Sequence, residues 1–123
     1  DGDDTLNGGA GADTLRGGAG RDIFSWGFGS DDGSTDLVRD FTTGAAGDTI
    51  DVSFLDANQL IDGDQAFIVS TIAAAGRVVR STAVELGVTN TYYRFHQDGD
   101  GIADFTIKFS GARTLTIGTD FIA

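Results

Sequence analysis

Asp1-Gly2-Asp3-Asp4-Thr5-Leu6-Asn7, Gly8-Gly9-Ala10-Gly11-Ala12-Asp13-Thr14-Leu15-Arg16 and Gly17-Gly18-Ala19-Gly20-Arg21-Asp22-Ile23-Phe24-Ser25 follow one another at the start of this chain. Laid over each other they keep glycine at 2, 11 and 20, aspartate at 4, 13 and 22, and a large apolar side chain at 6, 15 and 24. This nine-residue period is the G-G-x-G-x-D-x-U-x register of a parallel β-roll. Six residues rich in glycine make a tight turn through backbone angles closed to residues with a Cβ, and three residues then make a very short strand. A flexible low-complexity linker would also be rich in glycine, but it has no reason to hold Leu6, Leu15 and Phe24 in phase.

Two such repeats complete one coil, so residue i stacks on residue i+18 at roughly the 4.8 Å strand spacing, and Asp4 is expected to lie over Asp22. Unit charges about 4 Å apart repel by ~1 kcal/mol in water and ~4 kcal/mol at an effective dielectric near 20, so the stack calls for a cation between its turns. Calcium suits it. The ion accepts six to eight oxygen ligands in flexible geometry, and glycine-rich turns present bare carbonyl oxygens beside the aspartates; magnesium demands a stricter octahedron.

The grid continues in weaker form through Trp26-Gly27-Phe28-Gly29-Ser30-Asp31-Asp32-Gly33-Ser34, which keeps two glycines and the aspartate but loses the first glycine and the apolar eighth position. On the period of eighteen, Asp31 is expected over Asp13, on the face opposite Asp4 and Asp22, as a second calcium site. Asp40 also falls on the grid, but Leu37, Val38 and Arg39 before it read as a strand, and the loop series ends there.

Composition agrees. The net charge of -11 comes from 19 acidic and 8 basic residues, and all the acids but Glu85 are aspartate, the shorter carboxylate that suits tight loops. Such an acidic chain does not read as a nucleic-acid binder or a partner of anionic membrane, and its self-repulsion weakens the compact state until cations bind. With no cysteine, a metal is the available staple for a secreted fold. No apolar run approaches a membrane span and no basic-plus-apolar leader opens the chain. The chain starts inside a repeat, which reads as a piece of a longer protein with an upstream domain.

Beyond residue 36 glycine gives way to alternation. Asp36–Phe41, Thr49–Ser53, Ala66–Val69 and Arg77–Arg80 are strand candidates, as is Thr114–Ile117 near the end, while a helix fits only near Asp56–Ile61. The plainest hairpin joins Thr91–Gln97 to Ala103–Phe109, with Tyr93, Phe95, Ala103, Phe105, Ile107 and Phe109 on the inner face and Arg94, His96, Asp104, Thr106 and Lys108 on the outer. The expected fold is all-β: a calcium-binding roll over residues 1–35 followed by an antiparallel β-sandwich over 36–123.

Other sites are faint. Asp98-Gly99-Asp100-Gly101-Ile102-Ala103-Asp104 has carboxylates at EF-hand positions one, three and seven, but it lacks the fifth-position oxygen, the sixth-position glycine and the twelfth-position acid, so it reads as a hairpin turn. His96, the single histidine, reads as a surface residue paired near Arg94 and Asp104. A serine triad would have to use His96, no cysteine nucleophile exists, and neither H-E-x-x-H nor a phosphate-binding loop appears. The chain is therefore expected to be non-catalytic.

The repeats, together with Asp36–Phe41, Gly47-Asp48-Thr49-Ile50-Asp51-Val52-Ser53, Asp98–Phe105 and the terminal Asp120-Phe121-Ile122-Ala123, resemble the C-terminal calcium-binding RTX domain of serralysin-type metalloproteases. The resemblance implies side-chain calcium ligands at Asp4, Asp13, Asp22 and Asp31, with Asp36 an extra one, and carbonyl ligands at Gly8, Ala10, Gly18, Gly20, Gly27 and Gly29. It also implies that Asp120, Phe121, Ile122 and Ala123 end an uncleaved signal read by an ABC-type exporter. The chain would then be secreted from a Gram-negative bacterium by the type I route, as the appendage of an upstream enzyme such as a protease. Ala123 is smaller than the apolar residue that usually closes such tails, and Trp26 stands where a repeat would have its first glycine. The alternative is a carbohydrate-binding or processivity module of an alginate-modifying or other polysaccharide-active secreted enzyme, with a polysaccharide as partner; catalysis by the chain itself is a third reading.

Overall fold

A computed structural model describes residues 1–27, 29–30, 32–55, 68–70, 76–98, 100–116 and 119–122. Its strands are β1 (Thr5–Asn7), β2 (Thr14–Leu15), β3 (Ile23–Ser25), β4 (Thr35–Val38), β5 (Thr49–Asp51), β6 (Ile68–Ser70), β7 (Arg77–Glu85), β8 (Val88–His96), β9 (Phe105–Phe109) and β10 (Phe121–Ile122). The protein is all-β among its described residues, and it is built on a parallel roll.

The first five strands alternate between two sheets, which is what a coil of paired short repeats must do. One sheet has the order β1-β3-β5-β10, and every neighbouring pair in it is parallel. The other has the order β2-β4-β9-β8-β7-β6, parallel from β2 through β9 and antiparallel across β9-β8-β7. The roll therefore grows directly into the hairpins. The expected division between residues 35 and 36 falls within β4, and both sheets contain strands from either side of it.

Register explains the core. Leu6 pairs with Phe24, Phe24 with Ile50, and Ile50 with Phe121, so the apolar position of each repeat stacks into one column. Leu15, Val38 and Phe109 make the second column on the opposing sheet. Between the sheets lie Phe24, Trp26, Phe41, Ile50, Tyr93, Phe95, Phe105, Ile107, Phe109 and Phe121, all buried. Phe95 stacks on Phe105 with centroids 4.1 Å apart, and Phe41 meets Phe109 edge-on at 5.2 Å, the offset and T-shaped geometries that aromatic quadrupoles favour.

Several expectations change. The 91–97 to 103–109 hairpin forms with the large side chains of its inner face buried, and Thr91 pairs with Phe109 and Phe95 with Phe105. Arg77–Arg80 is only the start of β7, which runs on to Glu85 and returns as β8 through Leu86 and Gly87, at φ 51° and 80°. Two positive φ values at a two-residue turn match the twist of a β-hairpin. Leu-Gly is not a usual turn pair, so this hairpin was hidden in the sequence. Residues 114–116 are not strand; the closing strand is β10, beside β5. Ala66 and Phe67, the expected helix at 56–61 and Ile117 lie outside the described residues.

Candidate metal centre

The tripeptide Asp-x-apolar recurs where the roll's strands begin: Asp4-Thr5-Leu6, Asp13-Thr14-Leu15, Asp22-Ile23-Phe24, Asp36-Leu37-Val38 and Asp48-Thr49-Ile50. Asp4, Asp13, Asp22 and Asp48 each precede a strand and Asp36 is the second residue of one, and each of these strands pairs with the next coil, so the carboxylates are drawn into two columns. In the first, the Asp4 amide donates to Asp22 Oδ1 at 3.0 Å, and the Asp22 amide donates to Asp48 Oδ1 at 2.9 Å. In the second, the Asp13 amide donates to Asp36 Oδ1 at 2.8 Å. Asp4 does lie under Asp22, as expected. Above Asp13, however, the register Thr14 with Leu37 sets Asp36 in the place expected for Asp31, which lies outside the described residues. The nine residues from Trp26 to Ser34 between β3 and β4 are longer than the six between β1 and β2, and the fixed period breaks there.

Asp22 is the most telling member. It is 1 % exposed, and among the described residues its Oδ2 has no hydrogen-bond partner. An ionised oxygen buried without a donor is costly. Gly17 lies against this same carboxylate, so closely that a Cβ at 17 would overlap it. Gly20 approaches the Gly2 carbonyl in the same way. Among the described residues no three carboxylate or imidazole side chains gather on one point, so a cation held here takes carbonyl oxygens as well. The orphan oxygen, the cradle at Gly17 and a purely oxygen donor set fit calcium.

The other expected ligands are placed unevenly. Asp36, 2 % exposed, accepts from the Trp26 indole Nε1 at 2.5 Å as well as from Asp13, and burial pushes its carboxyl above the usual range. Gly8 is buried against that pair, where a Cβ would overlap the indole. Trp26 thus occupies the room of a first glycine by bonding to Asp36. The Gly18 amide donates to Asp40 Oδ2, and the Gly27 carbonyl accepts from Ser30. Ala10 and Gly29 are exposed.

Three further carboxylates hold backbone amides in the same way, a role the sequence reading does not give them: it ends the grid before Asp40, quotes Asp48 only for the resemblance and assigns Asp120 to the export signal. Asp48 takes both the Asp22 and Thr42 amides, Asp40 takes those of Gly17 and Gly18, and Asp120 takes those of Gly44 and Thr116. Asp48 and Asp120 are buried. The Asp-x-apolar tripeptide, searched without a fixed spacing, would have found Asp48 and Asp120.

Two other features resolve. His96 is not on the surface: it is 3 % exposed, with Nδ1 3.0 Å from the Ile102 carbonyl, because the 97–104 loop folds over the end of the sheet. A carbonyl only accepts, so Nδ1 carries the proton in that contact. Within the loop Asp98 accepts from the Asp100 amide, Asp100 from Ile102 and Asp104 from Gln97, the local side-chain turns of a tight connection. Burial, and then the charges of Asp98 and Asp100, raise the Asp104 carboxyl above its ordinary range.

Comparison with known proteins follows the same lines. A search of curated proteins returns no match. Among solved structures the chain is similar to the AlgE6R3 subunit of the Azotobacter vinelandii mannuronan C5-epimerase, at 22% identity and a TM-score of 0.32, over 96% of this chain and 80% of that one. Residues 4–123 match the family described as peptidase M10 serralysin C terminal. That match spans the roll, the hairpins and β10, and on it the chain belongs to the serralysin C-terminal family.

Proposed function

We propose that this chain is a non-catalytic module that folds on binding calcium and carries the C-terminal signal for type I export of an upstream enzyme, such as a protease. The observation that carries this reading is the buried Asp22 Oδ2, which has no hydrogen-bond partner among the described residues. Asp4, Asp13, Asp22, Asp31 and Asp36 would supply side-chain oxygens, and Gly8, Ala10, Gly18, Gly20, Gly27 and Gly29 carbonyl oxygens. Residues 1–35 form the calcium-binding part in this reading, and 36–123 the part that ends in the signal at 120–123. Bound calcium would supply the positive charge that stacked carboxylates need.

The chain's own residues set the switch. With 19 acidic against 8 basic side chains, the chain resists compaction where free calcium is scarce, and it passes as an extended chain through an ABC-type exporter. Outside the cell millimolar calcium binds only the folded roll and so draws the chain into it. Extracellular calcium modules need dissociation constants of only about 10⁻⁴ to 10⁻³ M for this.

Isothermal calorimetry with calcium, followed by far-UV circular dichroism at each step and with magnesium as control, tests the reading. Calcium-selective heat coupled to a gain of β structure is expected. Equal β content in EDTA and in calcium would remove the switch.

A further inference from the structure

We infer that the hollow between residues 41–43 and 112–114 is a binding site for an oxyanion group, carboxylate or sulfate-like, with Arg113 as its charged anchor. The hollow has a volume of about 290 Å3 and is lined by Phe41, Thr42, Thr43, Ala112, Arg113 and Thr114. Among the described residues three hydroxyls and a guanidinium are its polar side chains, and no acid lines it. In a chain of net charge -11 that is an unusual concentration of donors.

Arg113 is held but not satisfied. Its Nε donates to the Phe41 carbonyl and its Nη1 to the Ala112 carbonyl, both at 3.1 Å. A guanidinium carries five N–H groups in a fixed fork, so most remain for a ligand. Among the described residues Arg113 forms no ion pair with an acid. The Arg80 Nε donates to the Arg113 carbonyl, bringing a second cation alongside, and Arg16, Arg39 and Asp40 line a further hollow that begins one residue before Phe41. Three of the chain's eight basic side chains line these two hollows, and the acid in the second, Asp40, is already paired with Arg16 at 3.3 Å.

Both walls are fixed in advance. Asp48 takes the Thr42 amide and Asp120 the Gly44 amide, which pins the first wall from beneath. Asn90 takes the Gly111 amide, the Thr91 hydroxyl takes the Arg113 amide, and the Tyr93 hydroxyl takes the Leu115 amide, which pins the second. Preorganised donors lose little entropy when an anion arrives, and charge-assisted bonds from a guanidinium are the stronger kind.

The test is a two-dimensional NMR titration of the calcium-loaded chain with sulfate and, separately, acetate, against chloride at matched ionic strength. Saturable shifts of the Arg113 Nε–H and of the Thr42, Thr43 and Thr114 amides, absent with chloride, are expected. The arm that saturates at lower concentration says whether the group is tetrahedral or planar. R113Q should weaken binding by about tenfold, and T43V, which leaves the Arg113 anchor intact, should weaken it less while the rest of the spectrum stays in place. Shifts that never saturate, that chloride reproduces, or that T43V and R113Q both leave unchanged would overturn the site.

Discussion

At the scale of single residues, glycine and aspartate act as a pair. Gly17 has no Cβ because the Asp22 carboxylate occupies that space, and the same carboxylate is buried with one oxygen lacking a hydrogen-bond partner among the described residues. Gly11 is a useful contrast: its φ is 94°, and nothing lies within 4 Å of where a Cβ would stand. Alanine at Gly11 therefore costs only backbone strain, about 1–2 kcal/mol. Alanine at Gly17 costs steric overlap instead, about 1–3 kcal/mol, and it also displaces the carboxylate proposed to hold calcium. Both variants are expected to melt earlier, but only G17A should lose calcium affinity; calorimetric titration of the two separates them. Equal affinities would mean that Asp22 takes no part in binding.

At the scale of elements, what the sequence shows depends on whether a local rule sets the structure. The roll strands were legible because their tripeptides repeat, and the β8–β9 hairpin because its alternation is nearly unbroken. The place above Asp13 was not, since a fixed period cannot anticipate a longer Trp26–Ser34 turn that moves Asp36 into it. His96 sits on the polar side of its strand by alternation, yet the 97–104 loop covers it, and such tertiary cover leaves no local trace. The β7–β8 turn defies local preference outright, because Leu86 holds φ 51° while fully exposed. L86N should relieve that strain, and a gain of about 1 kcal/mol, read as a higher melting temperature, is expected. Near the same turn Glu85 pairs with Lys108 at 2.6 Å, and that contact, with bonds from Tyr92 and Asn90, lowers its carboxyl from 4.5 to about 2. A carboxyl with a depressed folded pKa stabilises the fold above its unfolded value, and the contribution is lost as pH falls. The melting difference between the wild type and E85Q should therefore be full above pH 4.5 and shrink below it. It should be small throughout, because the pair is solvent-exposed; melts at stepped pH values check both points.

At the scale of the whole molecule, the end of the chain closes the roll that its beginning opens. The column that starts at Leu6 finishes at Phe121, which is 1 % exposed and stacks 5.9 Å from Phe95. Asp120, equally buried, fixes both the 42–44 turn and the segment before β10 through the Gly44 and Thr116 amides, while Ile122 accepts from Val52. Within the segment proposed as an export signal, Asp120 and Phe121 are thus buried at the last strand of the sheet while Ile122 is exposed, and a receptor that reads the two buried side chains would have to do so before that strand forms. In the proposed reading, folding on calcium would bury Asp120 and Phe121, so recognition of those two side chains and folding would exclude each other. Carboxypeptidase digestion followed by mass spectrometry tests this on the intact chain. With EDTA the enzyme should trim through residues 120–122, and with millimolar calcium those residues should persist. Trimming at the same rate in both would show that β10 is no part of the calcium-dependent fold, and that folding does not conceal the tail.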